Sequence, residues 1–126
     1  MNTKTVLLAL GLLLAAGAVG LTAADAFHFA LSKSAPAADA SVTAPAEVRL
    51  WFTQVPQANS VSIRVVSAGG MAVATEEPSA DPEDALAYFV KPAAPLSAGP
   101  YTVSWRGIGD DGHVVRGEFG FAVTAQ

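Results

Sequence analysis

Residues 27–126 are predicted to form an all-β domain, a Greek-key β-sandwich of about seven strands. Five segments alternate apolar and polar residues with a period of two, which is typical of half-buried strands. Turns that contain glycine or proline separate these segments, and no stretch after residue 26 keeps a helical period. Two sheets would therefore bury their apolar faces against each other.

The five strand segments follow one another along the chain, and each has an apolar set of alternate residues that is predicted to face the core. Tyr101 and Trp105 belong to such a set, so their aromatic rings are interpreted as core groups. Two shorter extended pieces are predicted at residues 29–34 and 71–75. The inward sets are Val48, Leu50 and Phe52; Val61, Ile63 and Val65; Leu86, Tyr88 and Val90; Tyr101, Val103 and Trp105; and Val115, Gly117, Phe119, Phe121 and Val123.

Residues 1–26 are predicted to be a cleaved secretory signal peptide that precedes the fold. Lys4 comes before an uncharged apolar run over residues 6–24, and Ala24, Asp25 and Ala26 form an A-x-A cleavage signal. Cleavage there would leave residues 27–126 as the exported domain. An uncleaved membrane anchor is the alternative, because the run approaches the ~20 residues that span a bilayer.

The charge and the residue types argue against several classes of protein. Seven lysines and arginines against eleven acidic residues give a net charge of −4, whereas a nucleic-acid-binding protein would present a basic face. The absence of cysteine excludes a disulfide framework and a thiolate metal site. The sequence also lacks G-x-S-x-G, phosphate-loop and H-E-x-x-H motifs, so the common catalytic constellations find no support.

Residues 76–84 form a strongly acidic segment, with five carboxylates and no cation. One interpretation is a solvated loop that its prolines bend, and the alternative is a weak funnel for cations. Carboxylates alone do not fix a ligand geometry, so the solvated loop is preferred.

The two histidines of the chain suggest a metal site with nitrogen and oxygen ligands. His28 lies beside the α-amine that cleavage would free at Phe27, and His113 lies in a tight turn two residues after Asp111. Residues two apart on an extended segment point to the same side, so Asp111 and His113 can reach one ion. Such a donor set suits Cu(II) better than tetrahedral zinc. The alternative is two unrelated surface histidines and an ordinary Asp-Gly hairpin turn.

Five segments follow, in order, the pattern of one known family. Residues 28–37 (HFALSKSAPA) are similar to H-A-x-L-x-x-S-x-P-A, and residues 48–53 (VRLWFT) to L-x-L-x-F-S. Residues 96–106 (LSAGPYTVSWR) are similar to L-x-x-G-x-Y-x-V-x-W-R, residues 111–113 to D-G-H, and residues 117–123 (GEFGFAV) to G-x-F-x-F-x-V. The chain thus resembles the CopC/PcoC periplasmic copper-resistance proteins, and both its histidines fall on histidine positions of that pattern.

The resemblance implies an immunoglobulin-like or cupredoxin-like sandwich in the periplasm, with one Cu(II) site formed by His28, Asp111 and His113. It implies a copper buffer or carrier in resistance or homeostasis, with no catalytic turnover and no nucleic-acid partner. We expect a monomer, with a CopD-type inner-membrane protein as a candidate partner. Some members also have a methionine-rich Cu(I) site. None is expected here, because Met71 is the only methionine after residue 26.

The sequence departs from the family pattern around the expected site. Phe27 precedes His28, Phe29 stands where the family usually has Ala, and Gln54 stands where many members have Glu. Gly109 and Val114 replace the Ser and Pro that are common around D-G-H. These departures allow a family member with a weakened or changed metal affinity. The alternative function is a metal-independent β-sandwich binding module with a degenerate copper site. A histidine-brace oxidase is disfavoured, because it needs histidine as the first residue.

Overall fold

The computed structural model describes residues 28–125, which form eight β-strands in two sheets and contain no helix. One sheet has the strand order β1-β3-β6-β5 and the other has the order β2-β8-β7-β4. The predicted signal peptide lies outside the described residues. Within residues 28–125, no helix is long and apolar enough to cross a membrane. The strands are β1 (Leu31–Ala35), β2 (Ser41–Val42), β3 (Val48–Phe52), β4 (Ser62–Ser67), β5 (Ser79–Asp81), β6 (Asp84–Val90), β7 (Gly99–Ile108) and β8 (Val114–Val123).

The two sheets bury the apolar faces that alternation predicts, so the all-β sandwich is confirmed. On β3 and β7, burial alternates residue by residue. The prediction for Leu86 is wrong, because its side chain is 36% exposed while the next residue, Ala87, is fully buried. The pairing of β5 with β6 is irregular just before this point, so the start of β6 does not keep a strict alternation.

Aromatic rings from both sheets meet at the centre of the core. The ring of Phe52 on β3 stacks on Phe29, with centroids 4.9 Å apart. Its other contacts are edge-on, with Tyr88 of its own sheet at 6.3 Å and Trp105 of the opposite sheet at 5.6 Å. Aromatic pairs of this kind contribute about 0.5–1.5 kcal/mol each beyond the area that they bury. Phe52 therefore joins the start of the described chain to both sheets.

Two strands were not predicted, and one predicted extended piece is only partly formed. Strands β2 and β5 contain two and three residues, too few for an alternating pattern to be visible. Residues 71–75 form two isolated bridges, Val66 with Ala72 and Thr75 with Pro92, instead of a strand.

The acidic segment is only partly the solvated loop that the sequence suggested. Its residues 79–81 form the edge strand β5, which pairs with β6. The carboxylate of Asp81 accepts a hydrogen bond from Arg49 on β3, and Arg49 also donates to Glu47 at 2.6 Å. Both arginine contacts raise the pKa of Arg49, the contact with Glu47 more strongly. The segment is thus fixed to the sheet by an ion pair that no local pattern could reveal.

Strands β7 and β8 form a long hairpin, and the turn that contains Asp111 and His113 lies at one end of it. Their pairing runs without interruption from Gly99 and Val123 to Ile108 and Val114. Gly117 makes room for Trp105, since a Cβ atom at residue 117 would lie 2.6 Å from an indole carbon. The hairpin is therefore a regular support for residues 109–113.

Candidate metal centre

The turn between β7 and β8 brings Asp111 and His113 into direct contact. Gly112 has a φ of 78°, and its N–H donates to the carbonyl oxygen of Gly109 at 3.1 Å. The Asp111 carboxylate accepts the backbone N–H of His113 at 3.0 Å through Oδ1, and its Oδ2 lies 3.0 Å from Nδ1 of the imidazole. The two side chains that the sequence placed on one side of the chain are thus adjacent in the structure.

The hydrogen bonds of the turn set the charge of the carboxylate. The backbone N–H of His113, and then its side chain, lower the pKa of Asp111 from its usual value. Asp111 is therefore ionised at neutral pH. Both side chains are exposed, His113 by 83% and Asp111 by 55%, so an ion in solution can reach them.

The contact with Asp111 also orients the imidazole of His113. A proton on Nδ1 lets the ring donate to the carboxylate, and this tautomer leaves a free lone pair on Nε2. Metal-binding histidines are commonly held in this way by a carboxylate on the other ring nitrogen. The pair can thus offer one imidazole nitrogen, and its carboxylate can either orient the ring or bind the ion through oxygen.

The start of the described chain is fixed at the same end of the sandwich. Phe29 is 5% exposed, and its ring lies against the backbone of β7 and the residues after it. A Cβ atom added to Gly107 or to Gly109 would lie 2.6 Å from a Phe29 carbon. His28 precedes Phe29, and Asp111 follows Gly109 by two residues. The Phe29 contacts therefore hold His28 near the end of the hairpin that carries the turn.

Two polar residues after β3 hold these segments in place. Thr53 Oγ1 accepts the N–H of Ala30 at 3.0 Å and donates to the carbonyl oxygen of His28 at 2.7 Å. Gln57 donates through Nε2 to the carbonyl oxygen of Gly109 at 2.9 Å. Sequence reasoning missed both residues, because their partners lie 23 to 52 positions away and leave no local signal.

Gln54, where many members of the CopC/PcoC family have Glu, also contacts the turn. Its Oε1 lies 3.5 Å from the backbone nitrogen of Asp110, a long and weak hydrogen bond. The same oxygen lies 3.1 Å from the position that a Cβ atom of Gly109 would occupy. Gln54 therefore packs against the turn and adds no charge there.

The structure brings together two of the three residues expected to bind a metal. Asp111 and His113 touch, while the exposed His28 lies at the same end and forms no hydrogen bond or ion pair with either side chain. Within residues 28–125, no group of three His, Cys, Asp or Glu side chains is close enough to hold an ion. The donors present are imidazole nitrogen and carboxylate oxygen, and copper is one of the divalent transition metals that imidazole binds.

Comparison with known proteins places the whole sandwich in one family. Residues 31–124 match the family model described as the CopC domain. The chain is 35% identical over 115 residues to Copper resistance protein C of Xanthomonas campestris pv. juglandis, which covers 84% of this chain and 88% of the relative. It is 30% identical over 105 residues to Copper resistance protein C of Escherichia coli, which covers 76% and 81%.

Solved structures give the same result for the fold. The crystal structure of PcoC, a methionine-rich copper resistance protein from Escherichia coli, has a TM-score of 0.71 at 28% identity and covers 77% of this chain and 99% of that one. The crystal structure of CopC from Methylosinus trichosporium OB3b has a TM-score of 0.71 at 27% identity and covers 79% and 96%. The family match at residues 31–124 includes all eight strands, and with them the β7–β8 hairpin that supports the turn.

Proposed function

Because the chain belongs to the CopC domain family, we propose that it is a periplasmic protein that binds one Cu(II) ion and acts as a buffer or carrier in copper resistance or homeostasis. The observation that carries this proposal is the contact between Asp111 and His113 on an exposed turn. The relatives' names point to copper, and the nitrogen and oxygen donors of the turn suit Cu(II). The proposed role involves no catalytic turnover.

The proposed ligands are the imidazoles of His28 and His113 and the carboxylate of Asp111. His28 is exposed and lies just outside the buried Phe29, so its side chain can turn toward an ion without disturbing the core. Removal of residues 1–26 would add the α-amine of Phe27 as a further nitrogen donor. Copper is here the cargo of the protein, and the sandwich supplies the fixed positions from which these groups bind it.

The proposal includes no Cu(I) site and no permanent oligomer. Met71 is the only methionine among residues 28–125, and its side chain is 73% exposed. The relative from Escherichia coli is described as methionine rich, so the two proteins differ in this respect. We propose a monomer that exchanges copper with a membrane protein of the CopD type.

The test is a Cu(II) titration of protein purified from the periplasm after natural processing. We expect one equivalent of a tetragonal, nitrogen-rich EPR signal that survives a competing chelator. His113→Ala should weaken Cu(II) binding by about 100-fold or more, since losing a residue that only orients a ligand already costs about 10–100-fold. Asp111→Asn should also weaken it. Asp110→Asn removes the same charge one residue away and serves as the matched control.

Two results would contradict the proposed ligands. The first is an unchanged affinity in His113→Ala, and the second is an equal loss in Asp110→Asn and Asp111→Asn, which would indicate a general effect of charge. Thermal unfolding tests the metal-independent module. A ligand of the native state at 100 times its dissociation constant adds ~2.7 kcal/mol to the free energy of unfolding. No increase with Cu(II) would favour the module.

A further inference from the structure

The outer face of the sheet formed by β4, β7 and β8 carries three arginines that the copper proposal does not use. Arg106 on β7 lies directly opposite Arg116 on β8. Arg64 on β4 lies in the neighbouring row, opposite Ser104. The arginines and the short side chains beside them line an open depression of about 640 Å³. We call this surface the arginine face; its polar side chains are Ser62, Arg64, Ser104, Arg106, Arg116 and Glu118.

The arginine face concentrates positive charge, with three arginines against one carboxylate. Half of the six lysines and arginines of residues 28–125 lie on it, together with one of the ten carboxylates of that range, Glu118. None of its three arginines forms an ion pair with any described residue, whereas Arg49 on the other sheet contacts two carboxylates. Like charges directly opposite each other on neighbouring strands destabilise a sheet. Folding alone therefore does not account for this arrangement.

We propose that the arginine face docks an acidic segment of a partner protein. Guanidinium groups bind carboxylates through two parallel hydrogen bonds, and arginine is enriched at protein interfaces. The three arginines are exposed, so a partner can approach them directly. A molecule that is otherwise acidic would be oriented by such a local positive surface as it meets an acidic partner.

The pattern of charges favours a protein segment over an anionic membrane. Glu118 lies in the same row as Arg64, with Ser104 between them. A uniformly anionic surface would be repelled by Glu118 and by the nine other carboxylates of residues 28–125. A protein segment can instead present carboxylates to the arginines and a neutral or cationic residue to Glu118.

The docked segment would lie next to the turn of the β7–β8 hairpin. The pair of Arg106 and Arg116 is two positions from the last pair of the hairpin, Ile108 and Val114, a distance of about 7 Å along the strands. Asp111 and His113 follow directly in the turn. The docking itself needs no metal, so it is tested on the copper-free protein, and the result is independent of the proposed ligands.

The experiment titrates the ¹⁵N-labelled processed protein with a peptide of alternating glutamate and threonine, in low salt. We expect shifts of the amide resonances of β4, β7 and β8, which fade as salt is added. The double variant Arg106→Gln with Arg116→Gln should bind about three- to tenfold more weakly, as for the loss of two exposed ion pairs. The matched control is Lys33→Gln on β1 with Lys91→Gln just after β6, which removes the same charge away from the arginine face and should bind normally.

Three outcomes would overturn the proposal. An equal loss of affinity in both double variants would show that only net charge matters. Peptide-induced shifts confined to other strands would place the binding surface elsewhere. Binding to phosphatidylglycerol vesicles without binding to the peptide would identify a membrane surface instead. Circular dichroism melting of each variant verifies that the fold is intact before its affinity is compared.

Discussion

Phe29 and Gly107 are matched residues, and their contact joins the start of the described chain to the end of β7. Phe29 stands where the CopC/PcoC family usually has Ala, and the residue types alone offer no reason to connect it with this distant glycine. In the structure, a Cβ atom on Gly107 would lie 2.6 Å from Cζ and 2.8 Å from Cε2 of the Phe29 ring. The added ring is thus accommodated in the core, against Phe52, and does not intrude on the exposed side chains of Asp111 and His113.

A double-mutant cycle tests this match. Phe29→Ala should lower the free energy of unfolding by about 3 kcal/mol, because a buried ring is lost. Gly107→Ala should lower it by about 1–3 kcal/mol, because Gly107 has no positive φ and its methyl group would lie 2.6 and 2.8 Å from two ring carbons of Phe29, which Phe29→Ala removes. The double variant should lose clearly less than the sum in urea unfolding. Additivity within about 0.5 kcal/mol would contradict the match.

The strands that the sequence predicts best are those with a clear alternation of apolar and polar residues. Strands β3, β4, β7 and β8 follow from their apolar periods, because one face of each is buried or half-buried. Strands β2 and β5 could not be predicted, because two or three residues are too few to show an alternation, and β2 pairs with distant residues on β8. Strand β5 is also held to β3 by the ion pair between Arg49 and Asp81, which lie 32 positions apart.

The ion pair between Arg49 on β3 and Asp81 on β5 should make the free energy of unfolding depend on pH in the acid range. The backbone N–H of Glu83, and then Arg49, hold the pKa of Asp81 below its ordinary value. A lowered pKa in the folded state gives stability above the unfolded pKa of about 3.9, and this stability is lost as pH falls through the folded value. Asp81→Asn should therefore unfold more easily than the native sequence at pH 7.

The same comparison at low pH supplies the control. Below the folded pKa of Asp81, the native carboxyl is protonated, so the two proteins should unfold at more nearly equal urea concentrations. Glu77→Gln changes an exposed carboxylate of the same acidic segment and should behave like the native protein throughout. A difference between Asp81→Asn and the native protein that did not change with pH would show that the carboxylate charge is not the cause.

At the scale of the whole molecule, the sequence predicts the candidate metal ligands but not the residues that hold them in place. The pair of Asp111 and His113 follows from spacing, and the resemblance to the family adds His28. The residues that hold the two segments, Thr53 and Gln57, could not be predicted, since their hydrogen bonds run from the segment after β3 to distant residues of the chain. Short spacings are visible in a sequence, whereas contacts between sheet ends exist only after folding.

The composition of the whole domain predicts a preference for the oxidised metal ion. Among residues 28–125 there is no cysteine, and Met71 is the only thioether, so soft ligands for Cu(I) are nearly absent. The processed protein should lose Cu(I) to a competing chelator under anaerobic conditions. Met71→Leu should leave both Cu(I) and Cu(II) retention unchanged. Retention of Cu(I) that Met71→Leu abolishes would contradict this prediction.

The contact between Phe29 and Gly107 also has a consequence for how the family diversifies. A large ring at position 29 is compatible with glycine at position 107 and is crowded by any larger residue there. In lineages related to this chain, an aromatic residue at position 29 should therefore occur together with glycine at position 107. An ancestor that gained the ring first would have carried a strained β7 until glycine arose, so glycine at position 107 is expected to be the older change.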